Sequence, residues 1–334
     1  MDPFILMVVA ILVALAFDVM NGFHDTANSV ATVIYTKALP PKVAIGIASL
    51  MNIVGPFLLG TAVAKVIATS IIPIEFLSIK IVIGALMGAI IWDLLTWYYG
   101  LPVSSSHALI GGLVGSGITA IGLGGIKWSG LSSVVLALLV SPVVGIILGM
   151  VIMFLVGRYV ISRLGRAKSN SIFKKVQIIS SACVSLTHGS NDAQKTMGIV
   201  AMFVAVTYGH EQIIIEPWMV LACALAIGLG TALGGWRIIQ TLGEKIGKEE
   251  LSPSQGFAAE TGTALTIAVG SHMGAPISTT HVLSSSVVGT VMIGGIGVLN
   301  KNVVMNILTA WVLTIPVAAL AAAISYLALT LVGI

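Results

Sequence analysis

The chain has 334 residues, of which 57% are hydrophobic and only 8% charged, with a mean hydropathy of +1.08. A soluble domain carries roughly a quarter charged residues, so this composition excludes an ordinary water-soluble fold and predicts an integral membrane protein. The net charge of +4 does not signal nucleic-acid binding, because the basic residues cluster in loops between apolar runs. The two cysteines, Cys183 and Cys223, give neither a disulfide framework nor metal-ligand spacing and read as buried spectators.

Apolar runs cover roughly 4–35, 43–70, 79–99, 106–125, 130–157, 176–208, 216–237, 254–273, 281–298 and 303–333. Several reach the ~20 residues a spanning helix needs. Met1-Asp2-Pro3 lacks the basic start of a signal peptide, so the first run is expected to stay as a helix. The stretches 79–125 and 254–298 differ from the rest. Each is a pair of helices joined by a small, hydroxyl-rich turn with no charged loop, as suits a re-entrant hairpin whose tip is buried in the membrane.

Charge tests that reading. If both hairpins leave on the side they enter, one face gathers Lys37, Lys42, Arg158, Arg163, Arg166, Lys168, Lys174, Lys175, Arg237, Lys245, Lys248 and Lys301, which is 12 of the 16 basic residues. That face is then cytoplasmic and both termini are extracytoplasmic. The expected fold class is all-α, with two inverted-topology repeats, each combining spanning helices with one re-entrant hairpin. Residues 1–157 form the first repeat, 158–175 a basic cytoplasmic linker and 176–334 the second. Trp92, Trp97, Tyr98, Tyr99, Trp128 and Trp218 read as interface anchors or packing.

Duplication is written into the sequence. Gly22-Phe23-His24-Asp25-Thr26-Ala27-Asn28-Ser29 and Gly189-Ser190-Asn191-Asp192-Ala193-Gln194-Lys195-Thr196 are 167 positions apart, as are Asp93 and Glu260. Pro102-Val103-Ser104-Ser105-Ser106-His107 matches Pro276-Ile277-Ser278-Thr279-Thr280-His281 at an offset of 174, and the glycines Gly115 and Gly289 follow at the same offset. Three matches in order, with a seven-residue insertion in the second half, indicate two halves meeting at a shared polar centre.

Acids in membrane-length apolar sequence are functional candidates by default. Asp25 with Asn28, and Asn191 with Asp192, offer hard oxygen ligands for a cation such as Na⁺. Gly22 and Gly189 suggest local unwinding that would add backbone carbonyls. Asp93 and Glu260, in the first arm of each hairpin, are further candidates as cation ligands, proton carriers or partners of nearby hydroxyls. Asp18 is weaker, because position 185 is Ser. Lys195 either neutralises Asp192 or faces an anionic substrate.

Ser104, Ser105, Ser106, Ser278, Thr279 and Thr280 precede helices beginning near His107 and His281. They suit N-caps, and the same helix starts suit a bound oxyanion. His107 and His281 read as packing residues rather than ligands. No phosphate-binding Gly-x-x-x-x-Gly-Lys-Ser/Thr loop and no His-Glu-x-x-His occurs, so ATP hydrolysis is not expected.

Asn21-Gly22-Phe23-His24-Asp25-Thr26-Ala27-Asn28-Ser29-Val30-Ala31-Thr32 and His188-Gly189-Ser190-Asn191-Asp192-Ala193-Gln194-Lys195 resemble the paired signatures of the inorganic phosphate transporter (PiT) family, and the two hairpin turns are similar to that family's. The resemblance covers essentially the whole chain. It implies an ion-coupled phosphate symporter of inverted halves, a homodimer in the lipid bilayer with extracellular termini. Asp25 and Asp192 match acids needed for transport, Asp93 and Glu260 the hairpin acids, and the Ser/Thr turns the phosphate site. His24 stands where many members carry Asn.

The expected function is import of inorganic phosphate across the cell membrane by Na⁺ symport, with no cofactor beyond the coupling ion. Asn28 and Lys195 would lie beside the anion, and Asp25, Asn28, Asn191 and Asp192 would hold the cation. An H⁺-coupled phosphate or sulfate symporter is the nearest alternative. An intramembrane serine hydrolase and an anion channel are alternatives of other classes. Six repeated hydroxyls speak against the hydrolase, and paired buried acids speak against the channel.

Overall fold

A computed structural model describes residues 2–244, 246–247 and 249–333, without the side chains of 242–244 and 296. Lys245 and Lys248, both assigned to the basic face, lie outside the described residues. The described chain is helical throughout, with one isolated β-bridge, Gly247 to Leu299.

Helix α1 (Pro3–Tyr35) starts at Asp2, whose carboxylate accepts from Phe4 N, and runs unbroken past Asp25. Helix α2 (Pro41–Val54) ends at a turn, Gly55–Phe57, and α3 (Ala62–Ser70) departs at 75°. The run 43–70 is therefore not one straight span. Gly55 lets the helix that carries Leu186 cross the break, since a Cβ there would sit 2.1 Å from Leu186 O. Helices α4 (Ile79–Tyr99) and α5 (Ser105–Ile121) form the first hairpin; Gly100, at φ 66°, makes the left-handed turn that glycine permits.

Helix α6 (Trp128–Val156) continues through a π turn into α7 (Ser162–Leu164). Helix α8 (Arg166–Tyr208) is one rod of 43 residues. The basic linker expected over 158–175 is thus helical from Arg166 onward and part of the helix that carries Asp192. Helix α9 (Pro217–Leu233) breaks at Gly234-Gly235 before α10 (Trp236–Glu244). Helices α11 (Pro253–His272) and α12 (Thr279–Met292) make the second hairpin, and α13 (Lys301–Leu331) completes the fold. Cys223 is buried, whereas Cys183 is exposed, contrary to expectation.

Among the described residues, four helical stretches are long and apolar enough to cross a bilayer: α1, α4, 128–164 and α13, with the bent α2–α3 pair as a fifth. In α4 67% of the apolar window is buried, against 22–28% in the other three, so α4 is wrapped in protein. Helix α8 is long enough to span but polar through its middle.

Each hairpin leans on the last long helix of the other half. Helices α4 and α5 pack along α13, and α11 and α12 along α6. The matched glycines allow this. A Cβ at Gly115 would lie 2.1 Å from Ala319 O, and one at Gly289 2.3 Å from Ile146 O, so backbone meets backbone at both contacts.

Candidate functional site

Helices α1 and α8 cross at the motif residues, and both hairpin turns converge on the crossing. Gly22 and Gly189 do not unwind their helices, which corrects the expectation of broken ones. They serve close packing: a Cβ at Gly22 would meet Ile227 O at 2.3 Å, and one at Gly189 Asn52 O at 2.5 Å. The backbone carbonyls of these turns stay inside continuous helices, so side chains must supply the polar chemistry.

Asp25 and Asp192 are both buried and face each other across this crossing. Thr279 Oγ1 lies 3.4 Å from Asp25 Oδ2 and 3.4 Å from Asp192 Oδ2. Thr280 Oγ1 lies 3.2 Å from Asp25 Oδ2. His24 Nδ1 is 2.8 Å from Asp25 Oδ1, and Asn21 Nδ2 donates to Asp192 Oδ2 at 3.5 Å. The second hairpin tip thus rests on both aspartates.

His188 is the candidate site residue that sequence reasoning missed. Asp25, His188 and Asp192 bring one ligand atom each within 4.8 Å of one another. His188 Nε2 stands 3.2 Å from Asp192 Oδ2 and 3.9 Å from Asp25 Oδ2, without hydrogen-bond geometry. A relay sets its tautomer. Thr231 donates to Ile227 O, so its oxygen accepts from Asn52 Nδ2, and Asn52 Oδ1 is left to accept from His188 Nδ1 at 3.1 Å. Nε2 then faces two carboxylates, as a lone pair in the neutral ring or as a donor in the imidazolium. Two buried carboxylates and an imidazole nitrogen this close together form a donor set that fits a cation, with the Thr279 hydroxyl beside both carboxylates. One signal was legible: His188 stands 167 positions after Asn21, and Asn191 167 after His24, so the halves exchange imidazole for amide.

Lys195 uses all its donors. Its ammonium contacts Asp192 Oδ1 closely, reaches Ser106 Oγ at 2.5 Å and Ile277 O at 2.9 Å. It pairs with Asp192 and ties both hairpin tips together. Ser106 Oγ adds a 3.3 Å bond to Ile277 O. Asn28 Nδ2 donates to Thr280 Oγ1 at 2.8 Å and Thr279 Oγ1 at 3.4 Å, so it holds the second tip.

Ser104 and Ser278 are the N-caps of α5 and α12, accepting from His107 N and His281 N at 3.2 Å each. Ser105 Oγ is buried without a partner. The hydroxyls of Ser106, Thr279 and Thr280 thus meet Lys195 and the two aspartates at one buried polar centre. His107 and His281 pack, as expected, with ring centroids 4.4 Å apart, and His281 stacks on Trp311 at 3.7 Å.

Asn191, Glu260, Asp93 and Asp18 make no hydrogen bond to Asp25 or Asp192 among the described residues. Asn191 Nδ2 donates to Ser271 Oγ at 2.8 Å on α11, and its Oδ1 is unpartnered. Glu260 accepts from Thr32 at 2.5 Å, from Gln177 at 2.8 Å and, closely, from Ser180, so it knits α11 to α1 and α8. Asp93 is buried with neither carboxylate oxygen hydrogen-bonded. Asp18 accepts from Thr196 Oγ1 at 2.9 Å.

The many membrane-length helices and the buried charged centre between two hairpin tips define a multi-pass membrane transport protein. Comparison with known proteins gives the family. The model of the phosphate transporter family matches residues 21–322, and the chain belongs to that family. It is 41% identical over 99% of its length to a probable low-affinity inorganic phosphate transporter of Rhizobium meliloti, covering 98% of that protein. The counterpart in Bacillus subtilis is 41% identical, with 98% of each chain covered. Among solved structures, that of a protein described as the sodium-dependent phosphate transporter superposes with a TM-score of 0.90 at 26% identity, covering 98% of this chain and 99% of that one. Phosphate is the substrate of the family, whose members are transporters and not enzymes.

Proposed function

We propose that this chain imports inorganic phosphate by symport with Na⁺, alternating access around the centre where the two hairpin tips meet. The observation that carries the reading is the convergence of Asp25, His188 and Asp192, each with one potential ligand atom within 4.8 Å of the others, beside hydroxyl-bearing tips. A cation there offsets both the aspartates and an arriving anion, so loading either one favours the other. Phosphate would accept from Ser105, Ser106, Thr279 and Thr280 and from the starts of α5 and α12. Asp25 and Asp192 would hold the cation; Asn28 would position Thr279 and Thr280. Sodium as coupling ion is supported by the sodium dependence of the solved relative and by the carboxylate oxygens. The presence of His24 and His188 against those carboxylates favours H⁺ as the second reading.

The same proposal includes inverted repeats with re-entrant hairpins. It is supported by the crossed packing of each hairpin on the other half, by the buried turns, and by the break in the second element of each half. Extracytoplasmic termini rest on the distribution of basic residues, and a homodimer in the cell membrane rests on the family resemblance.

Proteoliposome uptake of labelled phosphate separates the ions. An inward Na⁺ gradient at equal pH is expected to drive accumulation; accumulation with ΔpH alone and no Na⁺ would remove sodium from the proposal. Asn28→Ala is expected to raise the KM for phosphate about tenfold, by releasing Thr279 and Thr280 from about one hydrogen bond's worth of positioning. An unchanged KM in the same assay would show that Asn28 does not set the tip.

A further inference from the structure

Helices α1 and α8 share a second polar contact, next to the aspartate pair. Thr196 Oγ1 donates to Asp18 Oδ1 at 2.9 Å, and Asn21 Nδ2 donates to Asp192 Oδ2 at 3.5 Å. Asp18 and Asn21 are three residues apart on α1, and Asp192 and Thr196 are four apart on α8. Each pair therefore shares a helix face, and the two bonds are neighbouring rungs between the same helices. Each rung leaves one oxygen over. Asp18 Oδ2 and Asn21 Oδ1 have no hydrogen-bond partner, in residues that are 0% and 2% exposed. Turning the Asn21 amide over does not help, since its oxygen would then face the Asp192 carboxylate.

No basic side chain answers Asp18. Among the described residues none makes an ion pair or hydrogen bond with it. Lys195, beside Thr196 on α8, directs its three donors at Asp192, Ser106 and Ile277. A carboxylate buried without a cation is costly. The fold is able to satisfy such an acid with neutral donors, as Glu260 shows by accepting from Thr32, Gln177 and Ser180. Asp18 receives one donor. Packing does not call for an acid at this place either: 167 positions on stands Ser185, whose hydroxyl donates to Ser181 O.

We propose that Asp18, Asn21 and Thr196 bind a second monovalent cation, Na⁺, beside the one assigned to Asp25 and Asp192. The inference rests on the cation-coupled reading above. A carboxylate, an amide carbonyl and a hydroxyl are the oxygen ligands a hard cation takes. The single carboxylate sets the charge. A monovalent ion leaves the site neutral, whereas a divalent ion would leave a positive charge uncompensated among apolar helices. Asp18 and Asp25 are seven residues apart on α1, about 10.5 Å along its axis, so two ions need not share a carboxylate. Asn21 joins the two sites. It offers Oδ1 to the second ion and holds Asp192 through Nδ2, so filling either site favours the other.

Equilibrium dialysis with radiolabelled Na⁺ tests this on the full chain in phosphatidylcholine nanodiscs, in choline buffer without phosphate. Wild type is expected to bind two Na⁺ per chain. Asp18→Asn should keep the central ion and lose the second, and Asp25→Asn should lose the central one. Asp18→Asn retains an oxygen for Thr196 and removes an unpaired charge. Its melting temperature in choline should equal or exceed that of wild type, and Na⁺ should raise it less. Thr196→Val, which frees the carboxylate from α8, should weaken the second ion about fivefold, the equivalent of one hydrogen bond. Equal Na⁺ counts for wild type and Asp18→Asn would mean that Asp18 carries a proton or only packs. That result overturns this site and leaves the central cation standing. No bound Na⁺ on wild type would overturn both.

Discussion

Asp192→Asn is expected to abolish phosphate uptake, and Lys195→Met to do the same, each by about 100-fold or more. These side chains form a buried ion pair, and removing one partner of such a pair typically costs about 3–5 kcal/mol because the other is left charged and dry. Lys195→Met also releases Ser106 and Ile277, so the two tips lose their common donor. The double variant separates folding from transport. With neither charge present, Asp192→Asn/Lys195→Met should regain most of the melting temperature lost by each single variant. It should still not transport, since the acceptor cluster around His188 is then incomplete. Thermal unfolding in detergent and uptake in proteoliposomes read the two effects independently. Near-normal uptake by the Asp192→Asn variant would remove the cation role from this residue, whatever its stability.

Gly115→Val and Gly289→Val should each destabilise the protein strongly and by similar amounts. At both positions the added carbons run into backbone, Ala319 O at 2.1 Å and Ile146 O at 2.3 Å, and a helix backbone does not yield as a flexible side chain does. Overpacking of a good interior costs roughly 1–3 kcal/mol and occasionally more, and these contacts belong at the upper end. Gly46→Ala is the control. It sits in α2 with nothing within 4 Å of a Cβ, and alanine there should be neutral or stabilising by up to about 1 kcal/mol. A melting temperature for Gly115→Val equal to that of Gly46→Ala would show that hairpin and long helix are not in close contact.

Much of this centre was legible in the amino-acid sequence alone. Asp25, Asp192, Lys195 and the two Ser/Thr turns announce themselves because polar groups at a fixed offset are costly in apolar sequence, and repetition removes chance. The meaning of Gly22 and Gly189 was not legible. Glycine permits both unwinding and close approach, and only the neighbours, Ile227 on α9 and Asn52 on α2, decide for approach. The relay from Thr231 through Asn52 to His188 spans α9, α2 and α8, so no local pattern could show it. Glu260 pairs with Asp93 in sequence but not in environment, since Thr32, Gln177 and Ser180 surround only Glu260. The bend at Gly55-Pro56 was visible as composition, yet it was outweighed by the apolar run around it.

The crossed bracing of the hairpins bears on how the chain is made. Helix α13, against which α4 and α5 lie, is synthesised after the other twelve helices, so the first hairpin waits in the membrane for its support until that last helix is inserted. A ribosome-stalled or prematurely terminated product that stops before Lys301 would leave the face of α5 around Gly111 and Gly115 uncovered, a ready flag for quality-control proteases.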